Sequence, residues 1–170
     1  MDIDALSAAL TVRAAPMHDI TIRYSTVAEL GDAPNRDELL DEYAREASID
    51  GLPTQNPQRA TYQQLEDLKA LSVIGAFDGE RYVGFALVLT TVSPHFGCML
   101  STTESLFVAK SYRHTGAGTK LLKAAERHAQ ASGSVGLLVS APHGGRLAEL
   151  LPMKGYAESN RVFYKGLLDA

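Results

Sequence analysis

The segment from Ser105 to Leu122, SLFVAKSYRHTGAGTKLL, constrains the fold more than any other part of the chain. A short apolar strand ends at Val108, a basic turn with two glycines follows, and an amphipathic helix opens on the second glycine. A strand–turn–helix of this kind aims several backbone N–H groups and a helix N-terminus at one point, which suits a pyrophosphate. Arg113 adds a bidentate cation. Gly116 and Gly118 let main chain and phosphate approach with no Cβ between them.

Two common phosphate-binding patterns do not fit. A P-loop carries its lysine directly after the last glycine, and here Gly118-Thr119-Lys120 displaces it. A dinucleotide fingerprint needs a third glycine, where Leu121 stands. It would also open a parallel βαβ unit near the chain start, whereas this segment lies two-thirds of the way along. What remains is Arg-x-x-Gly-x-Gly, running from Arg113 to Gly118.

The 170 residues suffice for one domain with a sizeable core. No apolar run reaches the length of a membrane span, and the acidic first residues lack the basic region of a secretory signal. Residues 1–18 read as an N-terminal extension, a short helix or a disordered lead-in, and residues 19–170 as one domain. The single cysteine, Cys98, excludes an internal disulfide and a thiolate metal cluster. The five histidines show no ligand spacing on one helix, so no metal is expected.

A net charge of −4 argues against nucleic acid as the main partner. The charge is uneven. Residues 29–50 hold eight acids and two arginines, whereas residues 110–127 hold five basic residues and one glutamate. Lys120 and Lys123 in the basic stretch are either phosphate partners or a solvated helix face. The acids form either a docking face for a cationic molecule or a solvent face whose Asp37 and Glu38 complement a helix N-terminus.

Alternation of Ile20, Ile22 and Tyr24 predicts a first strand over residues 19–24. Pro34 opens a helix with Leu39, Leu40, Tyr43, Ala44 and Ala47 inward. A second helix over residues 58–71 buries Tyr62, Leu65, Leu68 and Leu71. Strands follow at 72–77 and 82–92, joined by a tight turn at Asp78-Gly79-Glu80-Arg81. Residues 99–108 form the fourth strand, 115–131 a helix, and 135–140 a buried parallel fifth strand. A short helix at 145–153 precedes two last strands at 156–159 and 162–165.

Arg113-His114-Thr115-Gly116-Ala117-Gly118 resembles the acetyl-coenzyme A signature of the GNAT superfamily of N-acetyltransferases. The order of elements is similar over about residues 19–168, and Gly155-Tyr156 matches the pair that begins the family's penultimate strand. The stretches 140–145 and 160–164 are similar to bacteriophage-encoded members. The resemblance implies an α/β fold of α+β sandwich type. Its central sheet is mixed and mostly antiparallel, with six to seven strands, splayed between the fourth and fifth, and helices on both faces.

It further implies acetyl-CoA as cofactor and direct acetyl transfer to a primary amine of a small molecule or peptide in a ternary complex, in a cytoplasmic enzyme. The implied cofactor contacts are Leu106, Phe107, Val108, Arg113, His114, Thr115, Gly116, Ala117, Gly118 and Thr119, mostly through the backbone. Lys120 or Lys123 would reach the coenzyme's 3′-phosphate. An alkylammonium titrates near ~10.4, so a base is needed. Glu104 is the candidate, read as sharing a strand face with Leu106 and Val108.

The family's usual tyrosine acid falls on Leu151 here, and its helix-initiating asparagine on Gly144. Tyr164 and His143 are the substitute acids, with solvent as a third route. A non-catalytic acyl-CoA-binding module or sensor is the alternative, and a fold retained for protein interaction a further one. Val162-Phe163-Tyr164 is a candidate edge for a homodimer.

Overall fold

The computed structural model describes residues 18–167. The extension expected over residues 1–18 therefore lies, except for His18, outside the described residues. The sheet has strands β1 (Ile20–Ser25), β2 (Leu71–Asp78), β3 (Arg81–Ser93), β4 (Cys98–Val108) and β5 (Leu137–Val139), ordered 1-2-3-4-5. All pairs are antiparallel except β4 with β5, which is parallel. The β2–β3 turn pairs Asp78 with Arg81 around Gly79 and Glu80, and Gly79 at φ +60° supplies the positive φ that a two-residue hairpin turn needs at its first position.

Helices cover both faces. On one, α4 (Ala117–Ala131) sets Ala117, Leu121 and Ala125 against Ile74, Val83, Ala86, Val88 and Val108. On the other lie α1 (Val27–Asp32), α2 (Arg36–Glu46) and α3 (Arg59–Asp67). There Val27, Leu30 and Leu39 pack on Leu71, Val73, Phe77, Phe85 and Phe107. Alternating residues of β3 and β4 thus feed two cores, as two-sided burial requires.

Helix α1 is not among the elements expected from the sequence. Its signal is present as Thr26-x-x-Glu29, and the Thr26 side chain accepts from the Glu29 N–H at 3.0 Å. The helix expected to run to Leu71 stops at Asp67, so Leu68 is 76% exposed instead of buried. Lys69 adopts φ +59°, while Lys69 N–H and Ala70 N–H donate to Glu66 O and Leu65 O, both at 2.9 Å. That paired cap ends the helix and releases Leu71 to begin β2.

The sheet of the described residues has five strands, not six to seven. No strand forms at 156–159 or 162–165; the chain after α5 (Arg146–Met153) lacks regular structure. Val162 and Phe163 are 91% and 87% exposed, so no apolar face holds them in register. The fifth strand is also shorter than expected and only half covered, with Val135 73% exposed.

Candidate active site

The site begins with an irregularity in β4. Ser101 N–H donates to Gly136 O at 3.2 Å, toward β5, whereas Ala109 N–H donates to Val83 O at 2.9 Å, toward β3. Residues an even number apart in a regular strand face the same neighbour, so one extra residue lies between them. It is Glu104. Leu87 pairs with Ser105 and Val88 with Thr103, leaving Glu104 unpaired in a β-bulge.

The bulge has two consequences. Past it, the main-chain groups of Leu106 and Val108 turn toward the β5 side, but β5 pairs only with Ser101, Thr102 and Thr103. The strands splay there, as expected, and an unpaired edge of β4 is left open. The bulge also corrects the face assigned to Glu104. Its carboxylate does not share the side of Leu106 and Val108, which pack toward α4. It turns to the opposite side, where Tyr62 Oη of α3 donates to Glu104 Oε1 at 2.7 Å.

Tyr43 of α2 completes this cluster. Burial and the Glu104 charge push its hydroxyl up, while the neighbouring Ser105 hydroxyl pulls it down. Burial and the bond to Glu104 push the Tyr62 hydroxyl well above an ordinary phenol. Sequence reasoning placed both tyrosines in the core stripe of their helices and missed their polar ends.

Below the bulge the open edge borders a cleft of about 420 Å³. Leu106, Phe107 and Val108 line one side, Gly116, Gly118 and Thr119 another, and Tyr43, Glu46 and Ala47 of α2 a third. A 3-10 turn over Lys110–Thr115 reverses at Gly116, whose φ of +81° favours glycine. The first bond of α4 runs from Lys120 N–H to Gly116 O at 3.0 Å, and Ala117 N–H finds Thr115 Oγ1 at 3.3 Å. The amides of Gly118 and Thr119, in the first turn, precede any helical acceptor and face the cleft region.

Gly118 is informative for a different reason. Its φ is not positive, and an added Cβ would make only ordinary contact, 3.8 Å from Val108 Cγ2. Neither backbone nor packing demands glycine here; its smallness leaves the cleft wall low.

Arg113, expected as a bidentate cation, lines the cleft with two of its nitrogens already engaged. Its Nε donates to Val108 O at 2.9 Å and its Nη2 to Glu46 Oε2 at 2.5 Å. It ties turn, strand and helix together beside the cleft. The acids of α2 follow the solvent-face reading, with Asp37 and Glu38 exposed in the first turn, but three of them are also paired. Glu38, Glu42 and Glu46, four residues apart on one helix face, take Arg81 Nη2 at 2.6 Å, Lys110 N–H at 2.6 Å and Arg113. This row clamps the helix to the sheet and the turn.

His114 is exposed, its ring 5.9 Å from that of His18. Lys120 Nζ donates to Ile20 O at 3.0 Å, and Lys123 is exposed; neither lines the cleft. His143 is exposed between the cleft-lining Pro142 and Gly145. Tyr164 lies outside the lining and donates to Gly51 O at 2.8 Å. Leu151 is buried. Among the described residues no three His, Cys, Asp or Glu side chains are grouped to hold a metal, and no helix is long and apolar enough to cross a membrane.

Comparison with known proteins is consistent with this geometry. The model of the acetyltransferase (GNAT) family matches residues 36–145. No curated protein sequence matches the chain. Among solved structures, an aminoglycoside acetyltransferase, meta-AAC0020, from an uncultured soil metagenomic sample superposes with a TM-score of 0.66 at 18% identity, covering 88% of this chain and 97% of its own. A ribosomal-protein-alanine N-acetyltransferase from Brucella melitensis biovar Abortus 2308 gives 0.63 at 18% identity, covering 86% and 96%. Glucosamine-6-phosphate N-acetyltransferase from Arabidopsis thaliana gives 0.63 at 11% identity, covering 86% and 97%. These likenesses establish a shared fold.

Proposed function

The chain belongs to the GNAT acetyltransferase family, and from that premise we propose that it transfers an acetyl group from acetyl-coenzyme A to a primary amine of a small molecule or peptide. One observation carries the reading: the open edge of β4 past Glu104 leads, within one cleft, to the free amides of Gly118 and Thr119. An extended amide-bearing arm fits the first as an added strand, and a diphosphate fits the second. The low wall at Gly118 gives the diphosphate room.

When bound, acetyl-coenzyme A supplies a thioester whose carbonyl carbon an amine can attack. The chain's own residues do the rest. Leu106 N–H and Val108 N–H hold the arm, and the start of α4 holds the negative charge through its amides and dipole. Arg113 keeps Val108 O and the turn in place. Glu104 takes the proton that an ammonium acceptor must lose before its lone pair is available. With Leu151 buried and the Tyr164 hydroxyl held on Gly51 O outside the cleft, His143 at the cleft rim is the candidate carried from the sequence that can donate a proton to the departing sulfur. Solvent serves too, because a thiol of pKa near ~8.5 leaves readily.

The acceptor is not bound on an acidic platform in this reading, since Glu38, Glu42 and Glu46 are already paired. A second reading, a non-catalytic acyl-CoA-binding module, is favoured by Leu151 at the family's tyrosine position.

Calorimetry with acetyl-coenzyme A tests the proposal. Wild type should bind, and ligand at a hundred times Kd should add about 2.7 kcal/mol of stability. Gly118→Trp should abolish binding by filling the cleft. No binding by wild type refutes the proposal. Glu104→Gln should then lower kcat across a panel of primary amines with coenzyme binding intact; binding with no transfer to any amine favours the second reading.

A further inference from the structure

Glu104 is poorly constrained by its own strand. It sits in the bulge without a β3 partner, and its side chain is exposed. A carboxylate left to its rotamers would sample many directions, which is a poor arrangement for accepting a proton at a fixed point. Among the described residues a single side chain hydrogen-bonds it: Tyr62, at 2.7 Å to Oε1. The Tyr62 ring is itself half-buried, packed with the cluster beneath α2 and α3.

We propose that Tyr62 is the positioning residue for Glu104, its hydroxyl fixing Oε1 so that Oε2 is presented to the acceptor nitrogen, directly or through one water. The inference rests on the acetyltransferase reading for its purpose, though not for its geometry. The titratable groups facing Glu104 are Tyr62 from α3 and Tyr43 from α2. The strand opposite offers Leu87 and Val88, and the end of β5 offers Val139 and Ser140. A neutral donor therefore supports the carboxylate. It orders Glu104 without cancelling its charge, as an arginine would. Burial and the Glu104 charge keep Tyr62 protonated. The same shift makes it a poor acid toward a departing sulfur and assigns it to positioning.

The test needs no acceptor. The side-chain order of Glu104 is read by NMR, from χ1 and χ2 scalar couplings and methylene relaxation, in the wild-type protein and in Tyr62→Phe, with Glu104→Gln assigning the resonances. Wild type should show one dominant rotamer, held by the Tyr62 bond, and Tyr62→Phe should show rotamer-averaged couplings and lower methylene order. Tyr43→Phe removes no bond to Glu104 and should change the couplings less. Should Tyr62→Phe fold poorly, replacement of Tyr62 by 3-fluorotyrosine, a stronger donor of the same shape, should leave Glu104 at least as ordered as in wild type; a disordered Glu104 there overturns the proposal.

Unchanged Glu104 couplings and order in the folded Tyr62→Phe variant overturn the proposal. Acetyl-coenzyme A binding should be equal in wild type and Tyr62→Phe. Its absence in wild type would sink the acetyltransferase reading alone, because the order of the Glu104 side chain judges Tyr62 independently.

Discussion

Glu46 Oε2 of α2 lies 2.5 Å from Arg113 Nη2 of the glycine turn, so a helix on one face of the sheet is ionically tied to the rim of the cleft. Arg113 is about a quarter exposed and Glu46 more so. A pair of that kind contributes about 0–1 kcal/mol to stability. Its larger effect is on ligand binding, since the carboxylate neutralises Arg113, one of the two arginines that line the cleft. Glu46→Gln should leave thermal stability nearly unchanged and tighten acetyl-coenzyme A several-fold, with a steeper dependence on salt. Calorimetry at low and high ionic strength checks this; weaker binding would mean that Glu46 serves mainly to hold Arg113 in place.

The two glycines of the turn should separate cleanly. Gly116 has φ +81°, so Gly116→Ala forces an L side chain into the left-handed region and should cost about 1–2 kcal/mol. Gly118 has ordinary helical backbone and room for a Cβ. Gly118→Ala should therefore match or exceed wild-type stability, because alanine is the better helix former, yet weaken acetyl-coenzyme A. Melting curves with and without ligand read both effects. A Gly118→Ala protein that binds as wild type removes the argument that this glycine is there for a ligand.

Stability should fall in mild acid through His128. Burial lowers its pKa in the folded protein, and Tyr24 Oη lies 3.1 Å from its Nδ1. The unfolded side chain titrates near ~6.5, so below that pH the unfolded state binds the proton first and gains relative stability. Above it both states are neutral and the contribution vanishes. The melting temperature of wild type should drop between neutrality and pH ~5, and His128→Gln should flatten part of that drop.

How much of this was legible follows from which signals are local. The glycine turn is a local pattern, and its strand, reversal and helix were all correctly read from Val108 to Leu121. The Asp78-Gly79 hairpin likewise carries its geometry in two residues. The bulge at Glu104 is not local, because nothing in Thr103-Glu104-Ser105 marks an extra residue until the partners Leu87 and Val88 are known. A one-residue shift inverts every side chain, so the face assigned to Glu104 was wrong although the residue was singled out. Leu68 misled for a related reason: helical periodicity cannot see that Lys69 accepts a left-handed backbone and ends the helix. Val162 and Phe163 have strand character, but a strand needs a neighbour, and β propensity does not supply one.

The acidic row on α2 decides between two uses of the same charges. Glu42 Oε1 accepts Lys110 N–H at 2.6 Å, at the point where β4 gives way to the glycine turn. If the acids serve structure, as this contact and those of Glu38 and Glu46 argue, the acceptor atom matters more than the charge. Glu42→Gln keeps a carbonyl oxygen at that place and should be near neutral. Glu42→Ala leaves a backbone N–H without its partner, a loss of about 1 kcal/mol where water can reach it. It should also loosen the turn enough to weaken acetyl-coenzyme A. A docking face for a cationic acceptor reverses the pattern: Glu42→Gln would then raise the KM of a polyamine, and Glu42→Ala would do the same with no change in melting temperature. Thermal melts of the two variants, followed by acceptor kinetics, separate the cases, and loss of stability confined to Glu42→Ala is the expected result.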